Sequence, residues 1–298
     1  MAEGSTDNKL PYQMDVYFDS FPTLDADRMA AFINSIDPGE DPCEITRPSE
    51  ETIQEWQSGE KIKLDGFVAS LGDFNMLILV HSVPSPAAEA IQDSNLPPDQ
   101  KARLGAHKAF ALLNNTGGDK YRGYESLIFL YKVAMAMCEQ GALGVGNIHT
   151  DHFFHREILM QMLEIKNNPG PDGKNHTLWD VMRHFAEPRQ LLMNITRFKD
   201  AAGGDWAATR GFSFCGFPDF ICPMDGKMKP DEICDVFNML FSYLMENGPV
   251  IAAGHTIGPD ERHAYRFSEP PAGVELPYPA VTVLAIDKEQ KKKRFIFF

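Results

Sequence analysis

The alternation of hydrophobic and polar residues is most regular over residues 211–258, where it predicts a strand, a turn, a long helix and a second strand. Apolar residues recur in the helical part at spacings of three and four, which places them on one helix face. They are Ile233, Val236, Phe237, Leu240, Phe241 and Leu244. Pro230 suits the first helical turn, and Asn247-Gly248-Pro249 ends the helix because proline cannot continue it. The flanking strands are predicted at residues 212–221 and 250–253.

A similar pattern lies earlier in the chain. Residues 106–113 are predicted to form a strand, residues 125–140 a helix and residues 141–148 a second strand. The helix is apolar nearly all round, which is typical of a helix buried on more than one side, and Lys132 is its main interruption. The two patterns indicate two related strand-helix-strand units. Chance similarity is the alternative, because glycine often follows a helix.

The remaining periodic segments predict strands and helices in irregular alternation. Strands are predicted at 14–20, 43–46, 67–70, 75–83, 190–198, 262–267, 280–286 and 294–298. Helices are predicted from a start at 23–27 to about 36, and at 49–57, 152–165 and 177–186, and a loop-rich passage is predicted at 84–103. This order favours an α+β fold with a mixed or largely antiparallel sheet and helices packed on one face. A doubly wound α/β sheet is the alternative.

The length of 298 residues suits one large domain or two small ones. We predict a single α+β domain over 1–298, with a disordered tail at about 1–12. The Pro- and Gly-rich segment 167–173 has the composition of a linker. It divides the domain into two possible lobes, 13–166 and 174–298.

Composition narrows the class of protein. Lys and Arg number 28 against 42 Asp and Glu, a formal net charge of −14. This charge argues against a nucleic-acid or anionic-membrane surface, which requires basic patches. The five cysteines include no C-x-x-C pair, as expected for reduced thiols. No signal region or membrane-length apolar run is present, so we expect a cytoplasmic protein.

Histidines form the densest chemical cluster. His149, Asp151, His152 and His155 stand within seven residues, where a strand is predicted to lead into a helix. His152 and His155 would share one helix face, and His149 and Asp151 would complete a site for zinc or another divalent transition metal. The alternative is structural: Thr150 or Asp151 caps the helix and His155 packs in the core.

Other catalytic patterns fit poorly. The segment 211–216 (GFSFCG) is one residue too long for a G-x-S-x-G nucleophile elbow. The segment 141–146 (GALGVG) has its glycines in the wrong order for a dinucleotide fingerprint, and it follows a helix instead of opening one. We therefore predict neither a serine or cysteine nucleophile nor a phosphate-binding loop.

Two polar loops flank the long C-terminal helix. One carries Arg210 and Asp219, and the other carries His255 and Thr256. If the flanking strands are neighbours, Asp219, His255 and Thr256 would share a rim that binds a ligand or partner. The alternative is local turn chemistry, in which Thr and Asp side chains bond to nearby backbone groups.

Short segments spread along the chain resemble a family of bacterial cytosolic proteins known only as a domain of unknown function. The segments are Thr23-Leu24-Asp25, Pro84-Ser85-Pro86, His107-Lys108-Ala109, Gly141-Ala142-Leu143-Gly144-Val145, Arg210-Gly211, Gly216-Phe217-Pro218-Asp219 and Gly254-His255-Thr256-Ile257-Gly258. The resemblance implies a single α+β domain and brings no activity, cofactor or catalytic residue with it. The histidine cluster lies outside the shared pattern.

These observations favour a non-catalytic soluble protein, without a cofactor, that binds another protein or a small ligand. An accessory or toxin-neutralising role is one form of this hypothesis. A metal-dependent hydrolase that uses His149, His152 and His155 is the main alternative. A phosphate-ester or nucleotide-binding enzyme that uses Arg210, Asp219 and His255 is a third.

Overall fold

The computed structural model of the chain divides into two compact units, Leu10–Glu187 and Pro188–Phe298, called here the N-terminal and C-terminal units. The structure describes residues 13–37, 41–57, 62–94, 96–115, 123–147, 150, 152–168, 176–185, 193–212, 217–258, 264–274, 276 and 279–286. The predicted tail at 1–12 and the predicted strand at 294–298 lie outside these residues. The division follows Glu187 and is C-terminal to the predicted linker at 167–173, most of which also lies outside them.

The N-terminal unit is an antiparallel sheet with helices. Its strands are β1 (Gln13–Phe18), β2 (Cys43–Thr46), β3 (Leu64–Leu71), β4 (Phe74–His81), β5 (Ala109–Asn115), β6 (Gly144–Asn147) and β7 (His152–His155). Its helices are α1 (Ala26–Ile36), α2 (Glu50–Gln57), α3 (Ala88–Asp93), α4 (Pro98–Gly105), α5 (Gly123–Glu139), α6 (Arg156–Asn167) and α7 (Leu178–Phe185). The sheet order is β2-β3-β4-β5-β1-β6-β7, and each described neighbour pair is antiparallel.

Strand β1 lies inside this sheet, and both of its faces are covered. Side chains alternate along a strand, so Tyr17 and Val16 point to opposite faces. Tyr17 packs with α3 and α4 in one buried cluster. On the face of Val16, the Tyr131 ring of α5 contacts the Phe154 ring of β7. The prediction of helices on one face is therefore wrong for this unit, since α3 and α4 form a second layer.

The C-terminal unit has one long helix and a mixed sheet. Its described elements are β8 (Asn194–Lys199), β9 (Asp205–Arg210), β10 (Asp219–Pro223), α8 (Pro230–Asn247), β11 (Thr256–Ile257), β12 (Tyr265–Ser268) and β13 (Ala280–Ala285). The order is β11-β12-β13-β10-β9-β8, in which β10 and β13 are parallel and the other pairs antiparallel. The six apolar residues predicted on one face of α8 are all buried.

The predicted α+β class is confirmed: the described residues form eight helices and two mostly antiparallel sheets. The doubly wound alternative is wrong because it requires a largely parallel sheet. Helix α5 joins strands β5 and β6, which are separated by β1 alone, whereas α8 joins β10 and β11, which are separated by β13 and β12. A duplication of two related units thus stays a prediction. Within the described helices, none is both long and apolar enough to cross a membrane.

Four local predictions are wrong. Residues 152–155 form strand β7, and the helix begins only after His155, whose ring accepts a hydrogen bond from the Glu157 amide as a cap. The passage 84–103 contains α3 and most of α4, because Pro98 occupies a first-turn position that tolerates proline. Residues 250–252 are irregular and residues 253–254 form a turn, and the short strand comes after them. The strand predicted at 212–221 is observed at Asp219–Pro223, and strand β9, which precedes it, was not predicted.

Replacement of Gly146 by alanine should destabilise the N-terminal unit by about 1–3 kcal/mol, the usual cost of overpacking. A Cβ atom at this position would overlap the Phe153 ring and the Tyr17 hydroxyl, both of which are buried. The control is Gly105→Ala at the end of α4, where a Cβ would meet only the mobile end of the Gln92 side chain. Urea denaturation of both variants tests this, and an equal stability of the two would contradict it.

Candidate functional site

The first predicted polar loop places Arg210 and Asp219 on neighbouring strands. The antiparallel register of β9 and β10 pairs Ile221 with Ala208, and its continuation places Arg210 opposite Asp219. Asp219 is fully buried, and its Oδ1 accepts hydrogen bonds from Thr209 Oγ1 at 2.8 Å and from the Phe212 amide at 3.1 Å. The carboxylate thus joins β10 to β9 and to the residue Phe212 that follows β9.

The second predicted loop lies at the far edge of the same sheet. His255 and Thr256 are exposed, and His255 Nδ1 lies 3.3 Å from the Ala252 amide nitrogen and 3.1 Å from the Val250 carbonyl oxygen. Strands β12 and β13 separate β11 from β10. Three strand spacings amount to roughly 14 Å. The structure therefore does not bring Asp219 together with His255 and Thr256.

The predicted metal cluster is described only in part. His149 and Asp151 lie outside the described residues. His152 and His155 belong to β7, and residues three apart on a strand point to opposite faces, so the shared helix face predicted for them does not form. His152 stacks on Phe154, whereas His155 is buried and its pKa is lowered by that burial. In the described part of the chain, no group of three His, Cys, Asp or Glu side chains is placed to hold a metal ion. The metal site stays a prediction.

A buried polar cluster on β1 includes residues that the sequence analysis did not single out as a site. Ser85 Oγ donates a hydrogen bond to Asp15 Oδ2, and the Ser85 amide donates to His107 Nε2 at 2.8 Å. His107 Nδ1 lies 2.6 Å from the Leu104 carbonyl oxygen and donates to it. His107 is therefore the neutral tautomer protonated at Nδ1. The Tyr17 ring lies 4.7 Å from the His107 ring, measured between centroids.

Burial controls the ionisation of this cluster. It raises the pKa of Asp15 to about 6, against the opposing hydrogen bond from Ser85, and it lowers the pKa of His107. The pKa of Tyr17 is raised by burial and then by the charge of Asp15. Because Ser85 Oγ donates to a carboxylate and not to the imidazole, this is not a nucleophile activated by histidine. The cluster attaches the start of α3 to β1.

A second polar cluster surrounds the end of α1. The Lys132 ammonium of α5 lies 3.0 Å from Asp37 Oδ2, and the Lys166 ammonium of α6 lies 3.5 Å from Asp37 Oδ1. The Lys132 side chain is only 2% exposed. Asp37 is the C-cap of α1, where the helix dipole is negative and nearby cations are stabilised. A buried charge is costly unless it is paired, so these contacts explain how α5 tolerates Lys132.

Lys132 forms part of the wall of a pocket of about 160 Å³. The other described wall residues are Ile33, Asn34, Asp37, Asp41, Pro42 and Leu71. Asn34 holds the wall together: its amide oxygen accepts from the Cys43 amide at 2.6 Å, and its amide nitrogen donates to the Cys43 carbonyl at 3.1 Å. Asp41 is exposed at the pocket rim, beside the hairpin turn at Gly72. The pocket thus combines a buried cation with carboxylates and an apolar wall.

The sequence contained a signal for this site. Lys132 interrupts an otherwise apolar helix, and such an interruption is costly unless the fold supplies a partner. Its partner Asp37 lies on another helix far away in sequence, so no local spacing connects the two. The corresponding signals for the β1 cluster were Asp15, an acidic residue within a predicted strand, and the two segments that contain Ser85 and His107.

The comparisons with known proteins concern the C-terminal unit. A family model described as a domain of unknown function (DUF4261) matches residues 208–285, less than a third of the chain. The match supports the resemblance to an uncharacterised domain family. It includes the segments at Arg210, Asp219 and His255, and excludes those in the N-terminal unit. No curated protein and no solved structure matches the chain.

Proposed function

We propose that this protein is a non-catalytic binding protein whose N-terminal unit takes up a small polar ligand in the pocket beside Lys132. The observation that carries the proposal is a pocket whose wall includes the almost fully buried Lys132 together with the acidic residues Asp37 and Asp41. This proposal keeps the small-ligand role predicted from the sequence and assigns it to a site other than the loops of Arg210 and His255.

The cost of burying Lys132 supports a binding role. An ammonium group removed from water loses several kcal/mol of solvation, on the order of magnitude found for buried ions. Replacement of such pairs by apolar side chains is often neutral or stabilising, so stability alone does not require a lysine here. The pair of Lys132 and Asp37 gives the cavity wall a fixed polar surface, which apolar packing does not.

The size and wall of the pocket suit a small molecule. A cavity of about 150 Å³ in another protein accommodates benzene, so a pocket of this volume holds roughly six to eight non-hydrogen atoms. Ile33, Pro42 and Leu71 give it an apolar side, and ligand sites combine such surfaces with a few fixed polar groups. The nearby thiol of Cys43 is unsuited to nucleophilic attack, because burial raises its pKa to about 11 against the opposing charge of Lys132.

The test is a titration of ¹⁵N-labelled protein with a set of small carboxylates, amines, amino acids and hydroxy acids, followed by amide NMR. We expect at least one compound to shift the amide signals of Asn34 and Asp41. Leu71→Trp, which fills the pocket, should abolish these shifts. Leu64→Trp is the matched control at the other end of β3 and should keep them. The proposal fails if no compound shifts these amides, or if the shifts persist in Leu71→Trp.

A further inference from the structure

We infer that helices α3 and α4 form a lid that opens as a unit from strand β1 when Asp15 ionises, while the sheet beneath it stays paired. The inference is independent of the pocket beside Lys132, since no described residue of the pocket wall belongs to α3 or α4. Three features carry it: the place of the two helices in the chain, the way their ends are attached, and the surface that they cover.

The two helices are inserted between strands that pair with each other. Both lie between β4 and β5, and these strands are antiparallel neighbours in which Val80 pairs with Ala111 and His81 with Phe110. Antiparallel neighbours can be joined by a turn of two residues, so their pairing does not depend on the helices. Movement of the lid away from the sheet therefore leaves β4 and β5 paired.

Hydrogen bonds attach the two ends of the lid to each other and to β1. Before α3, the Ser85 amide donates to His107 Nε2 at 2.8 Å, and Ser85 Oγ donates to the Asp15 carboxyl. After α4, His107 Nδ1 donates to the Leu104 carbonyl oxygen at 2.6 Å. Asp15 is thus the group on β1 to which the joined ends are bonded.

The apolar surface under the lid is small. The buried cluster takes three side chains from the lid segment and three from the sheet side: Ala87, Ile91 and Leu104 against Tyr17, Leu143 and Phe153. Helix α3 has six residues and α4 has eight, and helices of this length do not persist in water without tertiary packing. Opening therefore also unfolds α3 and α4, so their amide hydrogens exchange with solvent.

The surroundings of Asp15 favour the open state once the carboxyl has lost its proton. Strand pairing places Leu112 of β5 and Gly146 of β6 beside it, and neither residue can carry a charge. Burial among such groups raises the pKa of Asp15 to about 6, against the opposing hydrogen bond from Ser85. Water solvates the carboxylate in the open state, so ionisation shifts the equilibrium toward opening.

Two histidines on the same side of the sheet also titrate. Burial lowers the pKa of His107, so its protonation at acidic pH favours opening as well. His155 of β7 lies in one row with Gly144 and Tyr17, and burial lowers its pKa in the same direction. The effect of Asp15 is therefore measured as a difference from a variant that lacks only this carboxyl.

The charged side chains of the lid point away from Asp15. Arg103 is exposed and lies 3.7 Å from Glu157 of α6, and the Lys101 ammonium donates to the Gln92 carbonyl oxygen. The described acidic residues of the lid are exposed, and they are Glu89, Asp93 and Asp99. Asp93→Asn is the matched control, because it removes a carboxyl from the outer surface of the lid.

Hydrogen exchange of the full-length protein, measured by mass spectrometry from pH 4 to pH 8, tests the inference. Peptides from α3 and α4 report on the lid and peptides from β4 and β5 on the sheet, after correction for the intrinsic pH dependence of amide exchange. Between these limits, lid opening in wild type relative to Asp15→Asn should rise roughly 50-fold, because the carboxyl pKa is 3.8 when solvated and about 6 when enclosed. Asp93→Asn should follow wild type at every pH.

Ser85→Ala tests the attachment of the lid separately. This change removes the hydroxyl that donates to the ionised carboxylate, so lid opening at pH 8 should increase at least about tenfold, with a smaller increase at pH 4. The inference is overturned if α3 and α4 exchange only as fast as β4 and β5, since opening would then be global unfolding. A ratio of wild type to Asp15→Asn that is constant with pH also overturns it, as does unchanged lid exchange in Ser85→Ala.

Discussion

Replacement of Asp15 by asparagine is expected to raise the free energy of unfolding at pH 8 by about 3 kcal/mol. The folded protein raises the pKa of this carboxyl from 3.8 to about 6, mainly through burial. Between these two pH values the native state keeps a proton that the unfolded chain has released. Stability therefore falls as pH rises through this window and stays lowered above pH 6. The variant has no carboxyl to ionise, and its amide oxygen still accepts from Ser85.

Denaturant unfolding from pH 4 to pH 8 measures this effect as the difference between wild type and variant. The other titrating groups contribute equally to the pH dependence of stability in both proteins, so their contributions largely cancel in the difference. Asp93→Asn, at the exposed end of α3, is the control and should follow the wild-type curve. A constant difference between wild type and Asp15→Asn across this range would show that the Asp15 carboxyl does not titrate differently in the folded state.

Replacement of Asp37 by alanine should destabilise the N-terminal unit by about 3–5 kcal/mol, the typical effect of removing one partner from a buried ion pair. The change removes the carboxylate that both Lys132 and Lys166 contact, while both ammonium groups stay largely buried. Urea denaturation at pH 7 gives the change in unfolding free energy. The same variant should also lose ligand binding, because Asp37 belongs to the pocket wall.

An exposed ion pair between the same two helices provides the control for Asp37→Ala. Arg28 of α1 and Glu139 of α5 lie 3.6 Å apart, and their side chains are 60% and 36% exposed. Glu139→Ala should cost about 1 kcal/mol or less, as exposed pairs generally do. Similar effects of the two replacements would contradict the role assigned to Asp37.

Hydrophobic periodicity was sufficient to predict the helices that bury one face or all of their faces. Helix α8 and helix α5 were predicted within two residues of their observed ends, since long apolar patterns are unambiguous. Short segments were harder. The four residues of β7 carry histidines at both ends and fit either period, and two adjacent prolines made α4 resemble a loop. Tertiary pairing with β6 decides the first case.

The candidate site was less accessible to sequence reasoning than the fold. The sequence showed Lys132 as an anomaly but not its contact with Asp37, since that contact depends on how α1 and α5 pack. Conversely, the conspicuous residues Arg210, Asp219 and His255 lie at turns and strand ends. In such places local hydrogen bonding explains a polar side chain without any ligand, and Asp219 is bonded in this way.

The order of strands in the C-terminal unit has a consequence for synthesis on the ribosome. Strand β13 is the last described strand of the chain, yet it lies inside the sheet, between β12 and β10. Until residues 280–285 leave the exit tunnel, β10 and β12 have no common partner and the sheet is divided. The unit therefore completes its sheet only after its other described strands have been synthesised, and a nascent chain stalled before Ala280 exposes two unpaired strand edges to chaperones and proteases.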